Sequence, residues 1–306
     1  MPVIEAKEIT KQYDDVTALK NVDLVIHEGE FFGLLGPNGA GKTTTIGILT
    51  GLVNLTSGNA YIMGKDSVKD YKFTRPLLGL SPQELNFDVF FSIRELLILQ
   101  AGYYGLAKKE CIKRADMMIE QFGLESKANN KARELSGGMK RRVQIAKSLV
   151  HNPPILILDE PTAGVDIELR HMLWDYLKKL NHDGKTILLT THYIEEAESL
   201  CNDIAIIDKG KIITQGSPRE LINKIGLSII EFVLDKNYNE VNLNGWKYNL
   251  NKNILTVNAT DPESEIALII NELINNNITI KGAKILNNSL EDVFVELTGH
   301  AINEGA

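Results

Sequence analysis

Two short stretches hold the residue types that phosphate chemistry needs. Gly36-Pro37-Asn38-Gly39-Ala40-Gly41-Lys42-Thr43-Thr44 fits the spacing G-x-x-x-x-G-K-[ST]. Glycines at these positions let backbone N–H groups turn inward around phosphates without an intervening Cβ. Lys42 offers a positive charge to the β- and γ-phosphates, and Thr43 a hydroxyl to Mg²⁺. The second stretch, Ile155-Leu156-Ile157-Leu158-Asp159-Glu160, is an apolar run that ends in two carboxylates. Asp159 is suited to a Mg²⁺ shell. Glu160, one residue on, can face a γ-phosphate and polarise a water. The second pattern is common in α/β proteins on its own, but with the phosphate loop upstream the two predict a nucleoside triphosphate site.

These residues need a buried sheet with helices leaving its strand ends. The runs Phe31 to Leu35, Ile155 to Leu158 and Thr186 to Thr190 are apolar throughout, which predicts strands buried on both faces in a largely parallel sheet. The phosphate loop then joins a strand to a helix beginning near Gly41, and the helix N-terminus adds its partial positive charge. Between Ser92 and Phe122, Leu96, Leu97 and Leu99, and then Ile112, Ala115, Met118 and Ile119, recur at helical spacing. They predict two helices broken around Gly102 to Gly105, a helical insertion within an α/β domain.

Length and composition bound the rest. A chain of 306 residues, 43% hydrophobic and 24% charged, is globular and long enough for two domains. Its 33 Lys and Arg against 40 Asp and Glu give a net charge of -7, which disfavours a polyanion partner. The last 81 residues hold 15 asparagines, with 11 acidic against 5 basic side chains, so the net acidity is concentrated there. That segment keeps strand-like runs (Ile229 to Leu234, Ile254 to Val257, Ile278 to Ile285) and helical ones (Pro262 to Ile274, Leu290 to Thr298), and reads as a small folded domain. The N-terminus carries carboxylates where a signal peptide needs basic and then apolar residues, and no uncharged stretch reaches membrane-spanning length. Cys111 and Cys201 form no metal-like grouping, so both read as spare thiols in the cytoplasm.

Leu135-Ser136-Gly137-Gly138-Met139, about 20 residues before Asp159-Glu160, resembles the signature motif of ATP-binding-cassette (ABC) proteins. Gln83, Ala163-Gly164-Val165-Asp166 and Thr190-Thr191-His192 follow the family's order, and the resemblance covers about residues 1 to 225. It implies a P-loop NTPase fold: a β-rich N-terminal subdomain, a RecA-like core, a helical subdomain at about 85–150, and then a small C-terminal α/β domain at 226–306. It also implies an ATPase that uses ATP and Mg²⁺. Glu160, His192 and Gln83 would be catalytic, with Thr43, Gln83 and Asp159 at the metal. Tyr13 would stack on adenine.

In that resemblance Ser136, Gly137 and Gly138 close over the ATP of a second copy, and Asp166 links the two copies. The finer resemblance is to ATPase subunits of ABC-2-type exporters, YadG-like proteins among them. It rests on Gly138-Met139-Lys140-Arg141-Arg142, the run from Glu160 to Arg170, Thr191 to Ala197, and Ser289-Leu290-Glu291-Asp292-Val293-Phe294. A separate membrane permease is then the expected partner, with the chain peripheral on the inner face of the cell membrane. Phe87, Val89, Phe90, Phe91 and Ile93 are a candidate docking surface. Soluble relatives that act on DNA or ribosomes carry coiled coils, zinc modules or a second cassette, and none of these is evident here. A nucleotide-gated scaffold without turnover is disfavoured by Glu160, Gln83 and His192. The remaining histidines, His27, His151, His171, His182 and His300, match no motif.

Overall fold

The computed structural model describes residues 1–88, 90–224, 228–238, 240–243, 245–286 and 289–302. It divides into a larger unit, Met1–Pro218 together with Ile302, and a smaller one, Arg219–Ala301. The expected boundary at 225/226 and the docking residue Val89 lie outside the described residues.

In the larger unit the apolar runs form a six-stranded sheet in the order Lys211–Gly216, Asp203–Asp208, Phe31–Leu35, Thr186–Thr191, Ile155–Asp159, Leu78–Ser81. All neighbours run parallel except the outermost pair, Lys211–Gly216 with Asp203–Asp208. Every residue of Phe31–Leu35, Ile155–Asp159 and Thr186–Thr191 is buried, as strands apolar on both faces require. Because these strands are parallel and central, their C-terminal ends collect at one edge, where Leu35 leads into Gly36, Asp159 into Glu160 and Thr191 into His192. Such an edge is where open α/β sheets bind ligands.

A second, antiparallel sheet pairs Val16–His27, Pro2–Tyr13, Ser57–Ile62 and Lys65–Asp66. Its inward side chains, among them Ile4, Ile9, Leu24 and Ile62, join Phe32, Leu34, Ile48 and Ile157 in one core. The predicted pair of helices is present as Ile93–Tyr103 and Lys108–Gln121. Ser92 and Glu95 form a capping box at the start of the first, satisfying N–H groups that would otherwise be orphaned. Gly105, at φ 82°, makes the break between them. Among the described residues no helix is long and apolar enough to cross a membrane.

Both thiols are buried. Cys201 Sγ fills the space beside Gly33, where a Cβ would sit 2.8 Å from it, and burial pushes the thiol well above its ordinary range. The smaller unit is an antiparallel sheet ordered Tyr248–Asn251, Ile254–Ala259, Ser228–Leu234, Ile280–Leu286, with the helices Pro262–Asn275 and Leu290–Thr298. Ile230, Phe232, Leu255, Val257, Ile269 and Leu273 make its core. The strand Tyr248–Asn251 has only Leu250 as an aliphatic residue, too polar a run to be predicted from hydropathy.

Candidate active site

The loop Gly36–Gly41 wraps the N-terminus of the helix Lys42–Leu49, which has no side-chain cap. The first-turn N–H groups have no intrahelical acceptor, so the helix start is a ready anion site. Gly41 adopts φ 109°, a left-handed conformation, and a Cβ there would lie 2.6 Å from Leu19 Cδ2. A Cβ on Gly36 would collide with the carbonyl oxygen of Ile207. Gly36 N–H donates to Thr191 O at 3.2 Å, and Ala40 O accepts from Gly210 N at 3.0 Å, so neighbouring strand ends and turns hold the loop.

A pocket of about 320 Å³ opens at this loop. It is lined by Ala18, Asn38, Gly39, Gly41, Lys42, Thr43, Thr44, Gln83 and Glu160. Lys42 is 5% exposed; its ammonium donates to Gly36 O at 2.7 Å and Pro37 O at 3.0 Å, and lies 3.1 Å from Glu160 Oε1. Gln83 Nε2 donates to Glu160 Oε2 at 3.2 Å. His192 Nδ1 stands 3.2 Å from Glu160 Oε1, close but without the alignment of a hydrogen bond. One carboxylate therefore gathers Lys42, Gln83 and His192, three polar side chains that the sequence assigned to the nucleotide site.

Asp159 is 2% exposed, and its two oxygens accept from Thr43 Oγ1 at 2.9 Å and Thr190 Oγ1 at 2.5 Å. A hydroxyl beside a carboxylate oxygen is a hard donor pair that suits Mg²⁺. Among the described residues no cluster of three His, Cys, Asp or Glu could cage a metal. The uncapped helix, the glycine cradle and this pair all fit ATP and Mg²⁺.

Glu160 has φ 48°, a conformation uncommon for residues other than glycine, and such strain concentrates at working sites. Its N–H donates to Thr190 O at 3.1 Å, and its carbonyl accepts from Arg141 Nη2 at 3.1 Å. Arg141 also donates to Pro82 O at 3.1 Å, while Gln144, three residues on, donates to the carbonyls of Pro82 and Glu84. These two side chains on the helix Gly137–Leu149 anchor both the Glu160 backbone and the segment holding Gln83. They went unassigned in the sequence. The available signal was a basic and an amide residue at i, i+3 on the same face as the apolar side chains.

The structure places other predicted residues apart. Gly36, Pro37 and Ala40 shape the loop without lining the pocket. Tyr13 ends its strand 43% exposed, with Lys11 Nζ 4.5 Å from its ring centre. Ser136 caps the helix Gly137–Leu149, and Asp166 caps Ile167–His182 by accepting from Leu169 N at 2.8 Å. Neither cap, nor Gly137 or Gly138, lines the Lys42 pocket. A Cβ on Gly138 would meet Leu169 Cδ2 of its own chain at 2.6 Å, whereas one on Gly137 would meet nothing within 4 Å. In the candidate docking segment Phe90 is 77% and Phe91 37% exposed, Phe87 is half-buried, and Ile93 is core.

Comparison with known proteins agrees with this geometry. The ABC transporter family profile matches residues 19–163. The Nod factor export ATP-binding protein I of Cupriavidus pinatubonensis is 37% identical over 99% of this chain and 92% of its own length. A dimeric ATP-binding cassette in a post-hydrolysis state with ADP and Pi superposes with a TM-score of 0.65 at 33% identity, covering 70% of this chain and 98% of that one. A Clostridium perfringens cassette, described as part of the ABC transporter complex cbiONQ, gives 0.64 at 30% identity over 73% and 94%. With a phosphate loop, a hydroxyl–carboxylate pair for Mg²⁺ and a strained glutamate at the ends of parallel strands of one sheet, this P-loop ATPase belongs to the ATP-binding subunits of ABC transporters.

Proposed function

We propose that this chain powers an ABC-2-type exporter, of the YadG-like kind, as a pair of copies that close on two ATP-Mg²⁺ and open after hydrolysis. A separate membrane permease would be the partner, with the chain held at the inner membrane face. The permease would set the cargo. Residues 1–225 would form the nucleotide-binding domain, with its helical subdomain at about 85–150, and 226–306 the accessory domain. The export names of the relatives support this direction of transport, and the exposed Phe90 and Phe91 support a docking surface.

The observation that carries the ATPase reading is the convergence of Lys42, Gln83 and His192 on the Glu160 carboxylate. Bound ATP-Mg²⁺ supplies the phosphoanhydride and its charge neutralisation. Lys42 would turn from Glu160 to the β- and γ-phosphates, while Thr43 and Asp159 hold the ion. Glu160, freed of Lys42, would accept the proton of the attacking water. His192 and Gln83 would keep that carboxylate and water in line. Ser136, Gly137 and Gly138 would complete the site of the other copy, Asp166 would join the copies, and Tyr13 would stack on the base.

The test is Glu160→Gln. Losing the general base lowers turnover by about 10² to 10⁴. Removing a carboxylate from the ammonium leaves ATP affinity equal or higher, and ATP collects the chain as a dimer on size exclusion. Turnover within threefold of wild type would overturn the role of Glu160.

A further inference from the structure

Glu196 lies on the helix Ile194–Leu200, outside the pocket, and is 0% exposed. A carboxyl so buried is costly unless its surroundings use it. Its Oε1 accepts from Thr162 Oγ1 at 2.8 Å and from Trp174 Nε1 at 3.1 Å. Its Oε2 is sealed from solvent without a hydrogen-bond partner of good geometry. Burial pushes this carboxyl above the usual carboxylate range, against the opposing pull of the Thr191, Thr162 and Trp174 side chains and the charge of Arg170.

The two donors and the neighbouring Thr191 and Arg170 belong to three different segments. Thr162 lies two residues after Glu160, in a turn where Ala163 N–H returns to Glu160 O at 3.2 Å. Trp174 and Arg170 belong to the helix capped by Asp166. Thr191 ends the strand immediately before His192 and accepts from Tyr193 N at 2.9 Å. Arg170 reaches back over the Tyr193 ring at 4.9 Å. Thr162, Thr191 and Trp174 are all at most 5% exposed, so water does not substitute for these contacts.

We propose that Glu196 is a positioning residue for hydrolysis. Its carboxyl fastens the turn after Glu160 to the helix begun by Asp166, beside the strand end carrying His192, so that a change at Asp166 is felt at Glu160. The inference rests on the ATPase reading of Glu160 and His192 and adds a residue that touches neither nucleotide nor water. Removing the carboxyl orphans the Thr162 hydroxyl and the Trp174 indole in a dry site. It thereby loosens the turn that carries Glu160 without touching the phosphate loop.

Two measurements on the full chain test it. In the first, Glu196→Ala lowers kcat at least tenfold per correctly folded molecule, with the ATP dissociation constant within twofold of wild type. Glu196→Gln, whose amide oxygen still accepts from both donors, keeps kcat within threefold. In the second, Trp174 and Trp246 are the two tryptophans of the chain, and 5-fluorotryptophan labelling gives one ¹⁹F resonance for each, assigned with Trp246→Phe. ATP-Mg²⁺ added to the Glu160→Gln chain shifts the Trp174 resonance, and a further Glu196→Ala removes that shift. The proposal is overturned if kcat of Glu196→Ala stays within twofold, if its ATP affinity falls in parallel with kcat, or if the Trp174 shift survives the substitution. Failure of the ATPase reading shows elsewhere, as a Glu160→Gln chain that turns over normally.

Discussion

At the scale of single residues, the contact between Lys42 and Glu160 makes the phosphate-binding charge and the proposed base compete for one another before nucleotide arrives. Lys42→Ala removes the sole ammonium among the described residues lining the pocket, so ATP affinity should fall at least tenfold by equilibrium dialysis. For the proposed shared site the choice of glycine matters. Gly138 would serve if its bulk met only a second copy, but its Cβ would first press on Leu169 of its own chain. Gly137 faces open space. An aspartate there sits in the first helical turn, where negative charge favours its own helix by about 0.3–1 kcal/mol, yet opposes any phosphate brought to that N-terminus. Gly137→Asp should therefore keep the wild-type melting temperature and single-chain ATP affinity while losing at least 90% of turnover. Normal turnover would refute the role given to Gly137.

At the scale of elements, most of what positions the site was legible. The three fully apolar strands could only be buried in a parallel sheet, and their ends delivered Gly36, Asp159 and His192 to one edge. The breaks at Gly102 to Gly105 were equally plain. Arg141 and Gln144 were not, because their partners are backbone carbonyls 19 to 62 residues away in sequence, which no local pattern records. His151 also gave no signal. It lies just past the same helix, stacked on Tyr104 with ring centres 3.5 Å apart and Nε2 bonded to Leu78 O. Burial, aided by the charges of Lys185 and Arg114, pushes it down to about 4 against that hydrogen bond. Between about pH 6.5 and 4 the unfolded chain thus holds a proton that the folded chain does not, and stability falls as pH drops through this window. After allowance for the ring's partial exposure the loss is about 2 kcal/mol. His151→Phe keeps the stack without the titration, so its urea midpoint should depend less on pH across that window than wild type.

At the scale of the whole molecule, the signature residues and the Lys42 pocket are distinct places on one chain, the condition for a site shared between copies. Mixing Lys42→Ala with Gly137→Asp chains tests this in a single tube. One of the two sites in such a heterodimer combines an intact loop with an intact signature, so the mixture should hydrolyse ATP faster than either parent. Whether the sites fire alone or together sets the size of the recovery. The smaller unit's core of Ile230, Phe232, Leu255 and Val257 was visible as strand-like runs, whereas the polar strand Tyr248–Asn251 emerges only through its pairing with Ile254–Ala259. The two buried thiols carry a different consequence. The thiolate must reach a disulfide dye to attack it and expel the dye's thiolate, so buried Cys111 and Cys201 should ignore the dye in the folded chain and react only when the protein opens, which turns their labelling into a clock for unfolding. Against that silent background a cysteine in place of Ile167, 70% exposed beside Asp166, becomes the sole fast-reacting group, and its shielding on adding ATP would time the meeting of two copies.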